Sequence, residues 1–197
     1  MIIEIYGLPG SGKTTAAKRI ADSCGYEIIK IRKKSELVFY NFLFLIKHPV
    51  RFFVLLYYVF RFSSSLKEFY FKLMNTFFDY NAKYQKALKK KNAILDQNYF
   101  TNIFAVFTKP VDAEVLTKYL KYVLCPDKLI IMNIDKDIRE KRVMERNYFA
   151  RDDFGDEYKK EWREAMEKNN KIFFDVVKKM KIDYLILDDD NLSSKII

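Results

Sequence analysis

The sequence predicts an α/β fold of three layers, with a five-stranded parallel sheet covered by helices on both faces. Three observations carry this. Short apolar runs bounded by turn residues recur at Ile2–Tyr6, Tyr26–Ile31, Ala93–Asp96, Leu129–Ile134 and Tyr184–Leu187. Most are nearly continuous in aliphatic residues, as strands buried on both faces are. Helical patterns at Lys13–Ser23, Asp137–Arg146 and Glu157–Met180 separate them, and strand-helix alternation of this kind builds a parallel sheet. With 197 residues, half of them hydrophobic, and no repeat or low-complexity linker, residues 1–197 are expected to form one domain.

The interval between the second and third strands departs from a minimal α/β unit. From Glu36 to Phe62 it is crowded with Phe, Tyr, Leu and Val, broken by Lys47-His48-Pro49 and Arg51. Proline ends a helix at such a point, so two short apolar helices joined at Pro49 are expected. A third, over Leu66–Lys89, places Leu66, Phe69, Tyr70, Leu73, Phe77, Tyr84 and Leu88 on one stripe. Lys89-Lys90-Lys91 at its end suits the helix dipole. Residues 35–91 thus read as an aromatic-rich helical insertion.

Between the first strand and the first helix, Gly7-Leu8-Pro9-Gly10-Ser11-Gly12-Lys13-Thr14 matches the phosphate-binding pattern G-x-x-x-x-G-K-[ST] in full. Glycines at these positions allow positive φ and bring backbone N–H groups against phosphate oxygens. The following helix directs its positive end at the same anion. Gly7, Pro9, Gly10, Ser11, Gly12, Lys13, Thr14 and Thr15 are therefore the residues expected to hold a nucleoside triphosphate, ATP with Mg²⁺. In such a loop the lysine reaches the β- and γ-phosphates, and the hydroxyl of Thr14 ligates Mg²⁺.

A second metal contact is expected at the end of a neighbouring strand. Asp96 stands there, at the carboxyl edge where ligands of open parallel sheets gather. Position alone leaves three roles open to it: metal ligand, orienting base for an acceptor hydroxyl, or cap of the next turn. Gln97 beside it is a weaker acceptor contact. After the fourth strand Arg142 and Arg146 lie four apart, hence on one helical face. One guanidinium can stack on a base and the other fork to phosphate, or both can sit on a solvated, salt-bridged surface.

The loop, the strand-end Asp135 and the pair Arg142 and Arg146 together resemble the nucleoside and nucleotide kinase group of P-loop proteins, thymidylate kinases especially. The resemblance covers about the first 34 residues and everything from Asn92 onward. It implies the P-loop NTPase fold with strand order 2-3-1-4-5, and a helix whose two arginines open a mobile lid over ATP. The lid would be residues 147–154, with Asn147 where a glycine is common and Arg151 able to swing onto the transferring phosphoryl group. Thymidylate kinases carry Asp-Arg-Tyr after strand three and Arg-Glu-Pro after strand two. This chain has Asp96-Gln97-Asn98-Tyr99 and Ile31-Arg32-Lys33-Lys34 there. The resemblance therefore carries the fold and donor site, but not thymidylate as acceptor.

The formal charge of +10 favours anionic partners. Nucleic acid is not expected, because the basic residues are dispersed and no recognition module is present. Cys24, Cys125 and the single His48 cannot assemble a zinc site by spacing; His48 reads as a loop residue beside proline. The N-terminus lacks the features of a signal peptide, which points to the cytoplasm. The apolar residues 37–62 have three readings: core of a helical cap, a peripheral membrane face with basic residues at the headgroups, or a membrane span, the last opposed by the charges and proline that split the run. Arg32, Lys33 and Lys34 read as a solvated turn or an anion clamp, and Asp188-Asp189-Asp190 as a solvated turn. The function expected is transfer of the ATP γ-phosphoryl to a small-molecule acceptor. The rival is a P-loop ATPase or switch working on a membrane or protein partner. Oligomeric state stays open, a homodimer included.

Overall fold

The computed structural model describes residues 1–145, 151 and 154–188. Its sheet is built from β1 (Ile2–Gly7), β2 (Glu27–Ile28), β3 (Ala93–Leu95), β4 (Lys128–Met132) and β5 (Tyr184–Leu187). The spatial order is β2-β3-β1-β4-β5, and every pairing is parallel. Expected and observed strands coincide within a residue or two except β2, which is expected over six residues and spans two. This edge strand pairs only with the three-residue β3. After Ile29 donates to Ile94, the Lys30 carbonyl accepts from the Lys86 side chain at 2.9 Å, so the chain turns out of the ladder.

Alternation along the strands sorts the two faces. Ile3, Ile5, Ile94, Ile130 and Met132 pack on Ala16, Ala17 and Ile20 of α1 (Lys13–Cys24). Tyr6, Leu95, Leu129 and Ile131 face the larger core, with Phe100 and Ile103 of α6 (Tyr99–Val106), Leu116 of α7 (Ala113–Leu120), and Phe173 and Val177 of α9 (Asp156–Lys179). Tyr6 stacks on Phe173 at 3.9 Å, and its hydroxyl donates to Asn170 at 2.7 Å. Helices α6 and α7 have no counterpart among the expected elements. Helix α6 is apolar nearly all round, because it lies inside, and so lacks the polar face that marks a surface helix. Helix α7 did carry a signal: Asp112 accepts from the Val115 amide at 2.8 Å as its N-cap.

Between β2 and β3 the chain forms α2 (Lys34–Lys47), α3 (Pro49–Arg61), α4 (Leu66–Lys72) and α5 (Asp79–Ala87). The break falls at Pro49, where proline serves as the first residue of α3. The single helix expected over 66–89 is interrupted by a π-helical stretch, Leu73–Phe78, which rotates the apolar stripe between α4 and α5. The fold is completed by α8 (Lys136–Met144) after β4.

Two buried carboxylates brace these elements. Glu4, alone polar within β1, accepts from the Phe100 amide at 2.7 Å and from the Thr101 amide at 3.3 Å, holding the N-terminus of α6. Its Oε2 makes no hydrogen bond among the described residues. Burial dominates these amides and pushes its carboxyl up to about 8. Glu68 of α4 pairs with Lys72 at 2.9 Å, both side chains being almost inaccessible. Lys72 also donates to the Phe62 and Val106 carbonyls, tying the ends of α3 and α6 to α4.

Because Glu4 has a folded value above its unfolded 4.5, the native state holds the proton more tightly. Stability should then decline as pH rises from 4.5 towards 8, by up to ~1.4 kcal/mol per pH unit. In Glu4→Gln that decline should disappear from urea midpoints compared between mildly acidic and mildly alkaline buffer. A variant with the same slope would show that Glu4 ionises freely in the fold. For Glu68→Gln we expect a loss of ~3 kcal/mol, because Lys72 stays buried without a counter-charge. Adding Lys72→Met should recover most of it; denaturation of all three proteins measures both steps.

Candidate functional site

Strand β1 runs into the glycine-rich loop at the carboxyl edge of the sheet, in the middle position between β3 and β4. Gly10 at φ 81 and Gly12 at φ 84 adopt the left-handed backbone that the spacing predicts. Gly12 has open space around it, so its φ alone demands glycine, whereas a Cβ on Gly10 would also collide with the Arg139 carbonyl. Gly7 is required by packing: its Cβ would lie 2.5 Å from Ser11 Oγ and 2.9 Å from Met132 Cβ. Pro9 is half-buried and Ser11 buried, its Oγ making no hydrogen bond among the described residues.

Helix α1 starts at Lys13 with Gly12 as N-cap. It has neither a side-chain cap nor an acidic residue in its first turn, so nothing within the helix's own start offsets the amides and positive dipole at this end. The Lys13 ammonium lies over the loop, donating to the Gly7 carbonyl at 2.7 Å and the Leu8 carbonyl at 3.0 Å. Thr14 and Thr15, next on the helix, are exposed. An apical anion would thus meet loop and helix amides, an ammonium and hydroxyls together. That donor set, with the Ser11 hydroxyl left over, fits a polyphosphate.

Asp96 follows β3 directly, half-buried at the same sheet edge, and Gln97 is exposed. Among the described residues no group of three or more His, Cys, Asp or Glu side chains could hold a metal ion by itself. A divalent ion here would need the oxygens of a bound phosphate to complete its shell, as Mg²⁺ at nucleotide sites does, and Thr14 and Asp96 are the donors that could complete it.

On the other side of β1, Asp135 caps α8 by accepting from the Asp137 amide at 2.8 Å. Arg142 is half-buried on this helix, and Arg146 lies outside the described residues, as do 147–150 and 152–153 of the expected lid and Asp189 and Asp190. Among the described residues Arg139, one turn before Arg142 and absent from the expected set, is brought against the loop. Its backbone carbonyl lies against Gly10. Its guanidinium, nearly buried, donates to the Ile134 carbonyl at 3.1 Å and to Glu167 of α9 at 2.8 Å. The i, i+3 spacing to Arg142 was its only trace in the sequence, and that spacing fits a surface ion pair equally well.

Arg151 does not reach the loop in this structure. It is 7% exposed, at φ 72, with its guanidinium 4.5 Å from the Trp162 ring centre and bonded to the Tyr158 hydroxyl and, at 3.2 Å, the Ala105 carbonyl. Tyr158 in turn donates to Glu68 at 2.9 Å. The side chain expected on a transferring group is held here by a cation-π box and the buried acid of α4. Arg32, Lys33 and Lys34 are exposed at the start of α2, where the Arg32 amide donates to Glu36 at 2.9 Å. His48 sits at the α2-α3 joint against Phe44, its ring held below the usual histidine value by burial and then by Arg51 and Lys47.

A family model described as "ATPase family associated with various cellular activities (AAA)" matches residues 3–42, a stretch covering β1, the loop, α1, β2 and part of α2. No curated protein sequence matches the chain. Among solved structures, deoxyadenosine kinase from M. mycoides with bound dATP is similar over 100% of this chain and 95% of that one, with a TM-score of 0.54 and 19% identity. The same kinase with products dCMP and a flexible dCDP bound gives 0.51 over the same shares, also at 19% identity. Likeness at such identity is a likeness of fold. Together with the observed strand order and loop geometry, it shows that the chain has the P-loop NTPase fold, in an arrangement shared with that deoxyadenosine kinase.

Proposed function

We propose that this protein is a kinase that transfers the γ-phosphoryl of Mg-ATP to a small-molecule acceptor of the nucleoside or nucleotide class. One observation carries the reading: the uncapped N-terminus of α1, the left-handed glycines Gly10 and Gly12 and the Lys13 ammonium converge at the centre of the sheet edge. The fold likeness to a deoxyadenosine kinase supports a nucleoside or nucleotide acceptor and puts deoxynucleosides first on the panel to test.

In this reading the loop amides and the α1 dipole take the phosphate chain, and Lys13 moves from the Gly7 and Leu8 carbonyls onto the β- and γ-oxygens. Thr14 and Asp96 would hold Mg²⁺, which would supply positive charge to neutralise that of the phosphates. Arg142 of α8 adds positive charge, and Arg146, outside the described residues, is assigned the same role by its spacing. Arg139 acts as a positioning residue, linking Gly10 through its carbonyl and α9 through Glu167. Arg151 would have to leave Trp162 and Tyr158 before it touched a substrate.

Lys13→Ala should lower phosphoryl transfer from labelled Mg-ATP to a panel of nucleosides and nucleoside monophosphates by roughly 10²–10³-fold, with the far-UV spectrum unchanged. Equal turnover would take the loop out of the mechanism, and free phosphate without acceptor dependence would replace the kinase by an ATPase. Gly10→Ala tests the loop separately. With φ 81 and the Arg139 carbonyl in the way of a Cβ, ATP affinity should fall by about tenfold or more in a calorimetric titration. Unaltered affinity would mean that the loop shape seen here is not the binding shape.

A further inference from the structure

Helices α2 and α3 each have two apolar faces. The inner faces, with Phe44, Leu55 and Val59, are buried in the main core. The outer face of α2 presents Val38, Phe39, Phe42 and Ile46, which are 52–69% exposed and lie within one stripe of the helix. Val50, Phe53, Tyr57 and Phe60 do the same on α3, at 58–67%. Water-facing helices are ordinarily polar on that side, and exposed apolar stripes on two consecutive helices mark a docking surface.

Charge identifies what docks. Residues 33–62 carry the cations Lys33, Lys34, Lys47, Arg51 and Arg61 against one acid, Glu36. Glu36 is engaged by Lys86 at 2.9 Å, and Arg51 by the Val123 carbonyl at 2.7 Å, which leaves Lys33, Lys34, Lys47 and Arg61 exposed at the helix ends with no acid of the segment to meet them. A two-fold contact with a second copy would set these cations against themselves. A membrane span is disfavoured as well. Among the described residues no helix is long and apolar enough to cross, and the α2-α3 pair bends by 115° while its inner face belongs to the core. Exposed aromatics and aliphatics rimmed by lysine and arginine suit an interface that is hydrocarbon below and anionic above. We infer that the outer face of α2 and α3 seats the protein on the surface of an anionic membrane, its apolar side chains entering the acyl boundary and its basic residues lying among the headgroups. This inference is independent of the kinase reading.

Flotation of the full chain with phosphatidylcholine vesicles, and with vesicles containing roughly one-third phosphatidylserine, tests it. The protein should float with the anionic vesicles, at least tenfold more tightly than with the neutral ones, and high salt should weaken that binding. Phe42→Glu with Phe53→Glu should abolish flotation while leaving the thermal midpoint and far-UV spectrum unchanged, since both positions are solvent-facing. Lys47→Gln with Arg61→Gln, which leaves the apolar face intact, should shift binding to anionic vesicles towards the neutral level. No flotation of the unaltered chain, or equal binding to both vesicles, overturns the inference. A dimer in sedimentation that the Phe42 and Phe53 replacements dissolve, without lipid binding, would assign the face to a second copy instead.

Discussion

The close approach of the Gly10 backbone to the Arg139 carbonyl is the contact on which the candidate site is built. A phosphate loop works only if its backbone amides point inward, and that requires a left-handed residue where any Cβ would be strained. Here glycine is required twice over at Gly10, by φ and by the neighbour, and once at Gly12, by φ alone. Helix α8 is the wall against which the loop is formed, and the Arg139 guanidinium fastens that wall to α9 through Glu167. Loop geometry, the position of the arginine helix and the packing of the last long helix therefore form one mechanical unit. The uncapped end of α1 supplies the complementary electrostatics, because a first turn without acids keeps its positive end for a ligand.

Polar groups placed inside the molecule serve the same edge of the sheet. Glu4 sits three residues before the loop and holds the first turn of α6, which fixes the connection after β3 that contains Asp96. Desolvation keeps this carboxyl protonated at neutral pH, so a nominal charge in β1 behaves as a neutral hydrogen-bonding group. The Glu68 carboxylate goes the other way: burial would push it up, but hydrogen bonds from Ser64 and Lys72 and the Lys72 charge hold it down at about 2. The same acid receives Tyr158, which receives Arg151, so a path of direct contacts joins the helical insertion to the segment expected as a lid. The insertion is accordingly more than a cover: its inner face completes the core, and its Glu68 meets α9 through Tyr158.

From the sequence by itself one could determine the features that depend on local rules. Steric permission at glycine, the phase of apolar residues and the effect of proline on a helix act within a few residues. Hence the loop from Gly7 to Thr14, the five strand positions and the break at Pro49 were legible in the chain. The order 2-3-1-4-5 came with the family resemblance rather than with the residues. Tertiary structure decided what depends on neighbours distant in sequence. Helix α6 was invisible because a helix buried all round loses the periodicity that burial on one face creates. The place of Arg139 was not legible, because only packing brings its carbonyl to Gly10, 129 positions away along the chain by their numbering. Arg151 lies in an aromatic box because Phe71 of α4 and Tyr158 and Trp162 of α9, distant in sequence, are brought together by the fold alone. The aromatic stretch, finally, satisfied a core and a surface reading at once, since composition counts apolar residues but only three-dimensional packing assigns each of them a side.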